Sequence, residues 1–291
     1  MSRRFALLVN PAAARGGTLK ALPAVTAAFD RLGATYRTVT TRSIEHAGEE
    51  AAIAAGAGET VAAMGGDGLL RPLAGALRHS ESAIALIPAG RGNDFARTLG
   101  IPSDPVEAVK VAVDGTERLV DVAEVDGTPF VGIASLGFDS EANRIANEAR
   151  MVKGEAVYIY AALRALAAWK HAHFVVSVDG QQHEVIGFGV AVGNAKAYGG
   201  GMLLLPHAEV DDGVLDLMLV GRYPKLAFLR NFPKLFKGTH IPSPYCTLLT
   251  GTEVRVSSDR PFVVYADGDP IGATPASIRV TPRCLRMIVP T

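Results

Sequence analysis

The sequence predicts an α/β protein whose N-terminal half is a parallel sheet and whose C-terminal half is mainly antiparallel β. Three observations carry this prediction. Up to about residue 121, short apolar runs alternate with helix-like stretches, as in a βαβ series. After Asp121, strands become short, and Asp-Gly pairs at 126–127, 179–180 and 267–268 stand between extended runs, where they favour tight β-turns. At 291 residues, the chain is long enough for two domains.

The elements of the first half follow one another as strand, helix, strand. Apolar runs predict strands at residues 5–9, 36–40, 61–64 and 83–87. Helix-like stretches lie at 18–32, 46–55 and 69–78, and a further helix starts at Phe95. Pro72 falls in the first turn after Gly68, where a helix accepts proline because its early N–H groups lack partners. One helix is predicted in the second half, at 158–171.

The junction at residues 60–68, TVAAMGGDG, is the most informative feature of the chain. Glycine lets backbone N–H groups approach an anion that a Cβ would hold off, and a following helix aims its positive end at the same place. Asp67 would repel phosphates unless a divalent cation or a hydroxyl lay between them. The combination of glycines and a carboxylate indicates chemistry on a magnesium-bound nucleotide. A glycine cluster after a strand is by itself also a common way to form a turn.

Two further strand ends carry similar loops. Asn10-Pro11 and then Arg15 follow the first strand, and residues 88–94, PAGRGND, follow the fourth. Asn93-Asp94 is also a plain helix cap, and the two roles are compatible. Open α/β sheets bind ligands at the carboxyl edge of their strands, so the three loops predict one site.

In order and spacing, these motifs resemble the diacylglycerol-kinase-like catalytic domain of bacterial diacylglycerol kinases, related lipid kinases and sphingosine kinases, and above all the soluble actinobacterial type. The resemblance spans nearly the whole chain. It rests on NP at 10–11, GGDG at 65–68, GRGNDFAR at 90–97, GFDS at 137–140, YGGGM at 198–202, DDGVLD at 211–216 and ADGD at 266–269. It implies a β-sandwich in residues 122–282, and a nucleotide-binding domain of residues 1–121 that is completed by the returning segment 283–291.

The resemblance implies ATP as the phosphoryl donor, bound with Mg²⁺ at the carboxyl edge of the parallel sheet. Backbone donors would come from the 65–68 and 10–15 loops, with the Arg15 side chain as a direct phosphate ligand. The residues expected to hold the nucleotide are Asn10, Pro11, Arg15, Thr41, Gly65, Gly66, Asp67, Gly68, Leu69, Arg71, Arg91 and Asn93. From its own context alone, Thr41 is more typical of an exposed turn residue.

Phosphoryl transfer also requires a base that takes the proton of the acceptor hydroxyl. Asp267 and Asp269, in a predicted tight turn, are the candidates, and Asp67 completes the catalytic set. The family carries Asp-Gly-Glu here, so Asp269 has a shorter side chain than usual. We assign the base to the pair; the competing interpretation is an Asp-Gly hairpin with a solvated charge.

A second acidic stretch, residues 211–213, offers oxygen ligands to a hard cation, although outside the family context it is an acidic turn. The resemblance implies a structural Mg²⁺ held by the side chain of Asp212 and the backbone carbonyls of Glu209 and Val214. A catalytic Mg²⁺ would arrive with ATP. We expect Asp212 to converge with the catalytic carboxylates around a cleft between the two halves.

The chain departs from the family pattern after GGDG and in the second loop. The family usually continues GGDG with threonine, where this chain has Leu69 before Arg71 and Pro72, and it usually has threonine where Arg91 stands. Arg71 and Arg91 could replace the lost hydroxyl contacts with charge-assisted hydrogen bonds to phosphate. They could equally mark an altered nucleotide preference or lost activity. Actinobacterial relatives tolerate an apolar residue after GGDG, which favours a working kinase.

Composition excludes several classes of protein. The 29 basic residues balance 29 acidic ones, so no overall field attracts nucleic acid. Cys246 and Cys284 lack metal-ligand spacing and are expected to be apolar fillers. No apolar run approaches the ~18 residues of a transmembrane helix, and the N-terminus lacks a signal-peptide pattern. We therefore expect a cytoplasmic protein that meets its lipid peripherally, with a homodimer as one option.

Residues 222–240 are the candidate segment for contact with the lipid. They contain five basic and four aromatic side chains and no acidic one. The sequence supports two interpretations equally. The segment is either a basic, aromatic face on an anionic membrane or a core-packed helix with solvated lysines. Pro224, Pro233 and Gly238 interrupt any long amphipathic pattern.

The sequence predicts a two-domain lipid kinase that transfers the γ-phosphoryl group of ATP to a hydroxyl of a membrane lipid, with diacylglycerol the favoured acceptor. An NAD-kinase-like enzyme with a soluble acceptor is the first alternative, because that related group also uses GGDG. A nucleotide- or lipid-binding protein without kinase activity is the second, because of Leu69 and Pro72.

Overall fold

The four predicted strands of the first half form a parallel sheet. The computed structural model describes residues 3–149 and 156–291. The strands are β1 (Arg4–Val9), β2 (Thr35–Thr40), β3 (Thr60–Gly65) and β4 (Ala83–Pro88), in the spatial order β4-β3-β1-β2. Their pairings are all parallel, so their carboxyl ends lie on one edge. Nearly every residue of β1, β3 and β4 is buried, as in a parallel sheet covered on both faces.

Helices follow these strands and cover the sheet. They are α1 (Gly17–Arg31), α2 (Ile44–Gly56), α3 (Leu70–Leu77), α4 (Asp94–Thr98) and α5 (Pro105–Asp114). α1 packs with α5, and α2 packs with α3. Side-chain caps start two of them: Ser43 accepts a hydrogen bond from the N–H of His46 before α2, and Asp104 accepts from Val106 and Glu107 in the first turn of α5.

The second half is an antiparallel β-sandwich, as expected. Its strands are β5 (Thr116–Val125), β6 (Thr128–Phe130), β7 (Ile133–Gly137), β8 (Ala172–Val178), β9 (Gln181–Gly193), β10 (Leu215–Gly221), β11 (Cys246–Gly251), β12 (Glu253–Ser258), β13 (Val263–Ala266), β14 (Asp269–Ala273) and β15 (Ala276–Val289). β8 alternates buried and half-buried residues, so one of its faces lies on the sandwich core with Phe130, Phe174 and Val254. The three predicted Asp-Gly turns all have positive φ at both residues, as a two-residue hairpin turn requires.

Helices α6 (Phe138–Glu148), α7 (Ala156–Ala168) and α8 (Lys225–Leu235) pack outside the strands. α7 is the helix that the sequence predicted at 158–171, and it ends three residues earlier. An aromatic cluster holds the group together: Phe138 lies edge-on to Trp169 at 5.7 Å, and Phe188 stacks on Phe228 of α8 at 4.9 Å between ring centroids. None of the described helices combines the length and hydropathy that spanning a bilayer requires.

β15 belongs to both halves of the molecule. Its first residues pair with β12, and it runs antiparallel to β5 over most of its length. Near its end, Arg286 and Met287 pair in parallel with Ala83 and Ile84 of β4. This strand therefore joins the parallel sheet to the sandwich. The domain limits at residues 121 and 282 stay a prediction, and β5 and β15 each cross one of them.

Candidate active site

The loops after β1, β3 and β4 leave the sheet side by side. The N–H of Asn10 donates to the carbonyl of Met64 at 3.0 Å, and that of Ala89 donates to Gly65 at 2.8 Å. These bonds continue the strand pairing one step beyond the strands, so the three loops start from adjacent points of one edge. Thr41 lies at the same edge, buried rather than exposed, and its hydroxyl donates to the carbonyl of Val9 at 3.2 Å.

Glycine is required where the GGDG loop meets the loop after β4. A Cβ added at Gly90 would collide with the Cα of Gly66, and it would also lie 2.9 Å from Oδ1 of Asn93. Asn93 adopts a left-handed backbone with φ of 53° and closes its loop on Gly90, accepting from its N–H at 3.0 Å and donating to its carbonyl at 3.1 Å. The two backbones therefore pack directly against each other.

Asp67 connects these loops to α4. Its carboxylate accepts hydrogen bonds from the N–H groups of Asp94 and Phe95, both at 3.1 Å. Burial raises the pKa of Asp67, and the neighbouring charge of Asp94 adds to the rise. The carboxylate thus stands in an environment where a cation would stabilise its charged form.

Asp267 lies in the turn between β13 and β14, with φ of 52°. Its carboxylate accepts the N–H groups of Val131 and Gly132, both at 3.0 Å, just before β7 begins. Burial raises its pKa to about 7, against the lowering effect of the two N–H groups, and the charge of Asp67 contributes to the rise. The charge of Asp67 thus reaches Asp267, which is consistent with the two carboxylates lying near one site.

Asp269 stands at the same site but is more open to solvent. One of its oxygens lies 3.5 Å from a guanidinium nitrogen of Arg71, and a Cβ added at Gly68 would lie 3.6 Å from that oxygen. The β13–β14 turn therefore presents its second carboxylate to the GGDG loop. The structure brings together Asp67, Asp267 and Asp269, which the sequence placed 200 positions apart along the chain.

The raised pKa of Asp267 predicts a dependence of stability on pH. Unfolded aspartate has a pKa near ~4, so between that value and about 7 the folded chain holds a proton that the unfolded chain releases. This contribution is fully present below the unfolded pKa and is lost as the pH rises through about 7. We expect the free energy of unfolding, measured by urea denaturation, to fall less between pH 5 and pH 8 in Asp267→Asn than in the wild type. An equal fall in both proteins would contradict the raised pKa.

The other nucleotide residues fall into three groups. Leu69 is buried beneath the loop against Gly65, so its side chain packs in the core instead of facing phosphates. Arg91 is exposed beside the site, and Pro11 is half-buried just after β1. The side chain of Arg15 lies outside the described part of the structure. The nucleotide roles of these residues stay predictions.

Asp212 lies with a different acidic group from the catalytic carboxylates. It accepts the N–H of Val214 at 3.1 Å, and its charge acts on Asp121, whose carboxylate accepts the N–H groups of Gly213 and Arg283. Burial is the main cause that raises the pKa of Asp121. Among the described residues, no hydrogen bond or ion pair joins Asp212 to the catalytic carboxylates, and the expected convergence of all of them stays a prediction.

The predicted structural Mg²⁺ site stays a prediction. The side chain of Glu209 pairs with Lys196 at 2.7 Å, which is compatible with its predicted role because only its backbone carbonyl would bind the ion. Within residues 3–149 and 156–291, groups of three or more Asp, Glu, His or Cys side chains that could hold a metal are absent. A metal at 209–214 would therefore depend on backbone carbonyls and water.

The carboxyl edge of the parallel sheet fits a magnesium-bound nucleotide. GGDG leads into a short 3₁₀ turn and then α3, so its backbone N–H groups open toward the edge. Burial, which raises the pKa values of Asp67 and Asp267, disfavours their charged forms, and a bound cation would offset that cost. Since the described side chains offer no ready three-ligand cluster, Mg²⁺ here would need phosphate oxygens as further ligands, as expected of an ion that arrives with ATP.

A large apolar cavity lies in the second half of the chain. The sequence had predicted a lipid acceptor there but had not indicated which residues would bind it. Its empty space is about 820 Å³, counting the part open to solvent. Residues from β7, β9, β10, α6 and α8 line it, including Leu136, Val190, Met218, Phe228 and Leu235. The run GFGVAVG at 187–193 was the available signal in the sequence, since it supplies an apolar wall with little side-chain bulk.

The polar end of this cavity is formed by residues whose motifs were recognised but given no role. Asp139 and Tyr198 line it, and burial raises the pKa of Asp139 to about 6. The hydroxyl of Tyr198 accepts a hydrogen bond from Asn143 at 2.7 Å. Burial, followed by the charge of Asp139, raises the pKa of Tyr198, so its hydroxyl is protonated. A carboxyl and a phenol therefore meet at one end of an otherwise apolar space.

Asp94 connects the cavity to the GGDG loop. Its carboxylate accepts the N–H groups of Gly200 and Gly201, at 2.8 and 2.6 Å, two residues beyond Tyr198. Its own N–H donates to Asp67. Sequence reasoning placed Asp94 in a loop of the site, with a helix cap as a compatible role, and the structure adds that it is a bridge between the two halves.

Family models match both halves of the chain. Residues 4–125 match the model described as the diacylglycerol kinase catalytic domain. Residues 132–289 match the model described as the YegS C-terminal NAD kinase beta sandwich-like domain. The two matches account for almost the whole sequence.

Individual proteins match over similar lengths. A diacylglycerol kinase of Mycobacterium tuberculosis is 31% identical over 97% of this chain and 94% of its own length. A Pseudomonas aeruginosa protein named "Probable lipid kinase YegS-like" is 33% identical over 83% of this chain and 80% of its own. The crystal structure of a Bacillus anthracis protein described as a "putative diacylglycerol kinase" has a TM-score of 0.78 at 26% identity, and the match covers 99% of this chain and 97% of that one.

Proposed function

This chain belongs to the family of the diacylglycerol kinase catalytic domain, and from that premise we propose that it transfers the γ-phosphoryl group of ATP to the free hydroxyl of diacylglycerol. Membership makes the protein a lipid kinase, a phosphotransferase with an alcohol acceptor. The identity of the acceptor is the proposal. The apolar cavity beside the carboxylate site is the observation that carries it.

The cavity suits an acyl chain better than a soluble acceptor. Its walls are almost wholly apolar, Asp139 and Tyr198 are among its few polar lining groups, and its size is that of a small-molecule site. A dinucleotide placed there would lose the hydration of its charged and polar groups without gaining partners. This favours a lipid over the NAD-like acceptor of the first alternative.

The cavity also lies at a suitable distance from the carboxylates. Asp267 accepts the N–H of Gly132 at the start of β7, and Ser135 of β7 donates to the hydroxyl of Tyr198 at 3.4 Å. Three residues of extended chain span about 10 Å. A lipid with its acyl chains in the cavity would thus hold its glycerol hydroxyl near the β13–β14 turn.

In the proposed reaction, the acceptor oxygen attacks the γ-phosphorus, the bond from γ-phosphorus to the bridging oxygen breaks, and the hydroxyl proton passes to Asp267 or Asp269. The N–H groups of residues 65–68 hold the donor phosphates, and Asp67 fixes α4 beside them. Mg²⁺ bound with ATP would spread the charge that develops on the phosphoryl oxygens. Asp139 and Tyr198 would orient the acceptor.

Filling the cavity should block lipid phosphorylation while sparing the nucleotide site. Leu235 lines the cavity from α8 and is only half-buried, so Leu235→Trp can occupy the space at little cost in stability. With labelled ATP and mixed micelles containing long-chain diacylglycerol, we expect the wild type to form labelled phosphatidic acid. We expect kcat/KM of the variant to fall by about tenfold or more, the loss expected when one or two methylene groups of the acyl chain no longer fit in the cavity.

Ile53→Trp is the matched control, because Ile53 is 57% exposed on α2, in the other half of the chain. It should leave turnover unchanged. Transfer of label to another lipid of a total extract, but not to diacylglycerol, would overturn the acceptor assignment. Nucleotide binding with Mg²⁺ but no labelled lipid at all would favour the alternative without kinase activity.

A further inference from the structure

Helix α8 lies over the apolar cavity as its outer wall. Phe228, Asn231, Phe232 and Leu235 line the cavity, at the spacing of one helical face. None of the residues of α8 is fully buried, so the helix rests on the surface of the protein instead of entering its core. On this side, α8 therefore separates the cavity from solvent.

The opposite face of α8 exposes large apolar side chains. Leu226 is 80% exposed, Leu229 is 42% exposed, and Phe236, just after the helix, is 51% exposed. Scattered exposed apolar side chains need no explanation, but three within eleven residues, two on α8 and one directly after it, form a patch. In the described structure, no other part of the protein covers this patch.

The segment that contains α8 is strongly basic. Arg222, Lys225, Arg230, Lys234 and Lys237 fall within sixteen residues, and no acidic residue occurs between Asp216 and Glu253. Among the ion pairs that the described residues form, none includes these five cations. Elsewhere on the chain the arginines are commonly paired with carboxylates, so the local charge stands out against a net charge of zero.

The positive charge acts on its surroundings. The pKa of His171, close to the start of α8, is lowered first by burial and then by the charges of Arg222 and Lys225. Lys225 donates to the carbonyl of Ala167 at 2.9 Å and so leans toward α7, while Arg230 and Lys234 are exposed. The latter two are free to meet an anionic surface.

We propose that the outer face of α8 docks on an anionic lipid bilayer, with Leu226 and Leu229 inserted between headgroups and Arg230 and Lys234 on lipid phosphates. An exposed apolar strip flanked by unpaired cations has the chemistry of an interfacial helix. The proposed function, on which the choice of a bilayer rests, gives the reason for its position: the docked helix is the wall of the acceptor cavity, so diacylglycerol leaves the bilayer directly beside its site. This resolves the two interpretations of residues 222–240, because one face of the helix packs and the other docks.

Sedimentation of the full chain with vesicles tests the docking without ATP or diacylglycerol. We expect tight binding to phosphatidylcholine vesicles that contain phosphatidylserine, weak binding to phosphatidylcholine alone, and a loss of binding as salt rises. Each basic residue at such a surface contributes about fivefold to partitioning, so Arg230→Gln with Lys234→Gln should lose about 25-fold. Leu226→Ser with Leu229→Ser should lose about tenfold or more.

Exposed residues of α1 and α2 provide matched controls. Lys20→Gln with Arg31→Gln removes the same charge from α1, and Ile53→Ser removes an equally exposed apolar side chain from α2. Both controls should bind vesicles like the wild type. Unchanged vesicle binding in either α8 pair, or an equal loss in the α1 pair, would overturn the proposal. Unchanged binding would leave a protein partner as the occupant of this face.

Turnover separates this inference from the proposed function. None of the four α8 residues lines the cavity. With a short-chain diacylglycerol dissolved as monomers, both α8 pairs should therefore turn over at the wild-type rate, while turnover on phosphatidylserine vesicles falls with their binding. Vesicle binding through α8 in a protein that phosphorylates no diacylglycerol would sink the proposed function and leave the docking intact. If the protein phosphorylates diacylglycerol but the α8 variants bind vesicles normally, the docking is overturned and the proposed function stands.

Discussion

Asp269→Asn is expected to abolish phosphoryl transfer while leaving nucleotide binding in place. Asp269 is the more solvent-open of the two carboxylates in the β13–β14 turn, and it points at the GGDG loop and Arg71. Both oxygens of Asp267 accept backbone N–H groups, whereas no backbone N–H among the described residues donates to Asp269, so its oxygens stay open to an acceptor hydroxyl. The loss of a general base lowers turnover by about 10²–10⁴-fold. Steady-state kinetics and a nucleotide-binding titration, both with Mg²⁺, would measure the two effects.

Two variants sharpen this test. Glu253→Gln removes an exposed carboxylate that pairs only with Arg255 and should leave turnover unchanged. Asp267→Asn should lower both turnover and melting temperature, because an amide places a donor against one of the two N–H groups that the carboxylate now accepts. Wild-type turnover in Asp269→Asn would remove this residue from the mechanism and leave Asp267 as the base.

Gly90→Ala is expected to destroy nucleotide binding and to lower stability. The added Cβ would collide with the Cα of Gly66 and would lie 2.9 Å from Oδ1 of Asn93. These are backbone atoms and a side chain fixed by two hydrogen bonds, so the clash cannot be relieved by a flexible neighbour. Overpacking of this kind costs about 1–3 kcal/mol or more. Thermal unfolding with and without Mg²⁺ and ATP should show a lower midpoint and no shift on adding the ligand.

Gly56→Ala is the matched control. Gly56 ends α2, has no atom within 4 Å of an added Cβ, and lacks a positive φ. Alanine is favoured over glycine in a helix by roughly 0.5–1 kcal/mol, so this variant should be as stable as the wild type or slightly more so. An unchanged midpoint and an unchanged ligand shift in Gly90→Ala would show that the two loops can separate.

The parallel sheet and its loops could be predicted because their signals are local. The run TVAAMGGDG shows a buried strand and its glycine turn within nine residues, and Asp267-Gly268 defines a two-residue hairpin by itself. The carboxyl-edge rule then brings Asp67 near Asn10 without knowledge of distant contacts. That Asp267 approaches Asp67 could be predicted only from the order of the motifs in the related family, since nothing in the sequence near either residue specifies it.

The apolar cavity and the position of Asp212 could not be predicted in this way. The cavity wall takes residues from six elements between Leu136 and Cys246, and its apolar members look like ordinary core positions in their own segments. Asp212 is fixed by the backbone N–H groups that gather on Asp121, a contact across more than ninety positions. For α8, the charges and aromatic side chains are visible in the sequence, but only the packing shows which face of the helix is covered.

The two-sided pairing of β15 means that neither half should survive as a separately expressed fragment. Ending the chain near residue 121 would leave β4 and β5 with bare edges, because their neighbour arrives about two hundred residues later. Such edges recruit strands from other molecules, so the fragment should precipitate. The intact chain should melt in a single cooperative transition, as one thermodynamic unit.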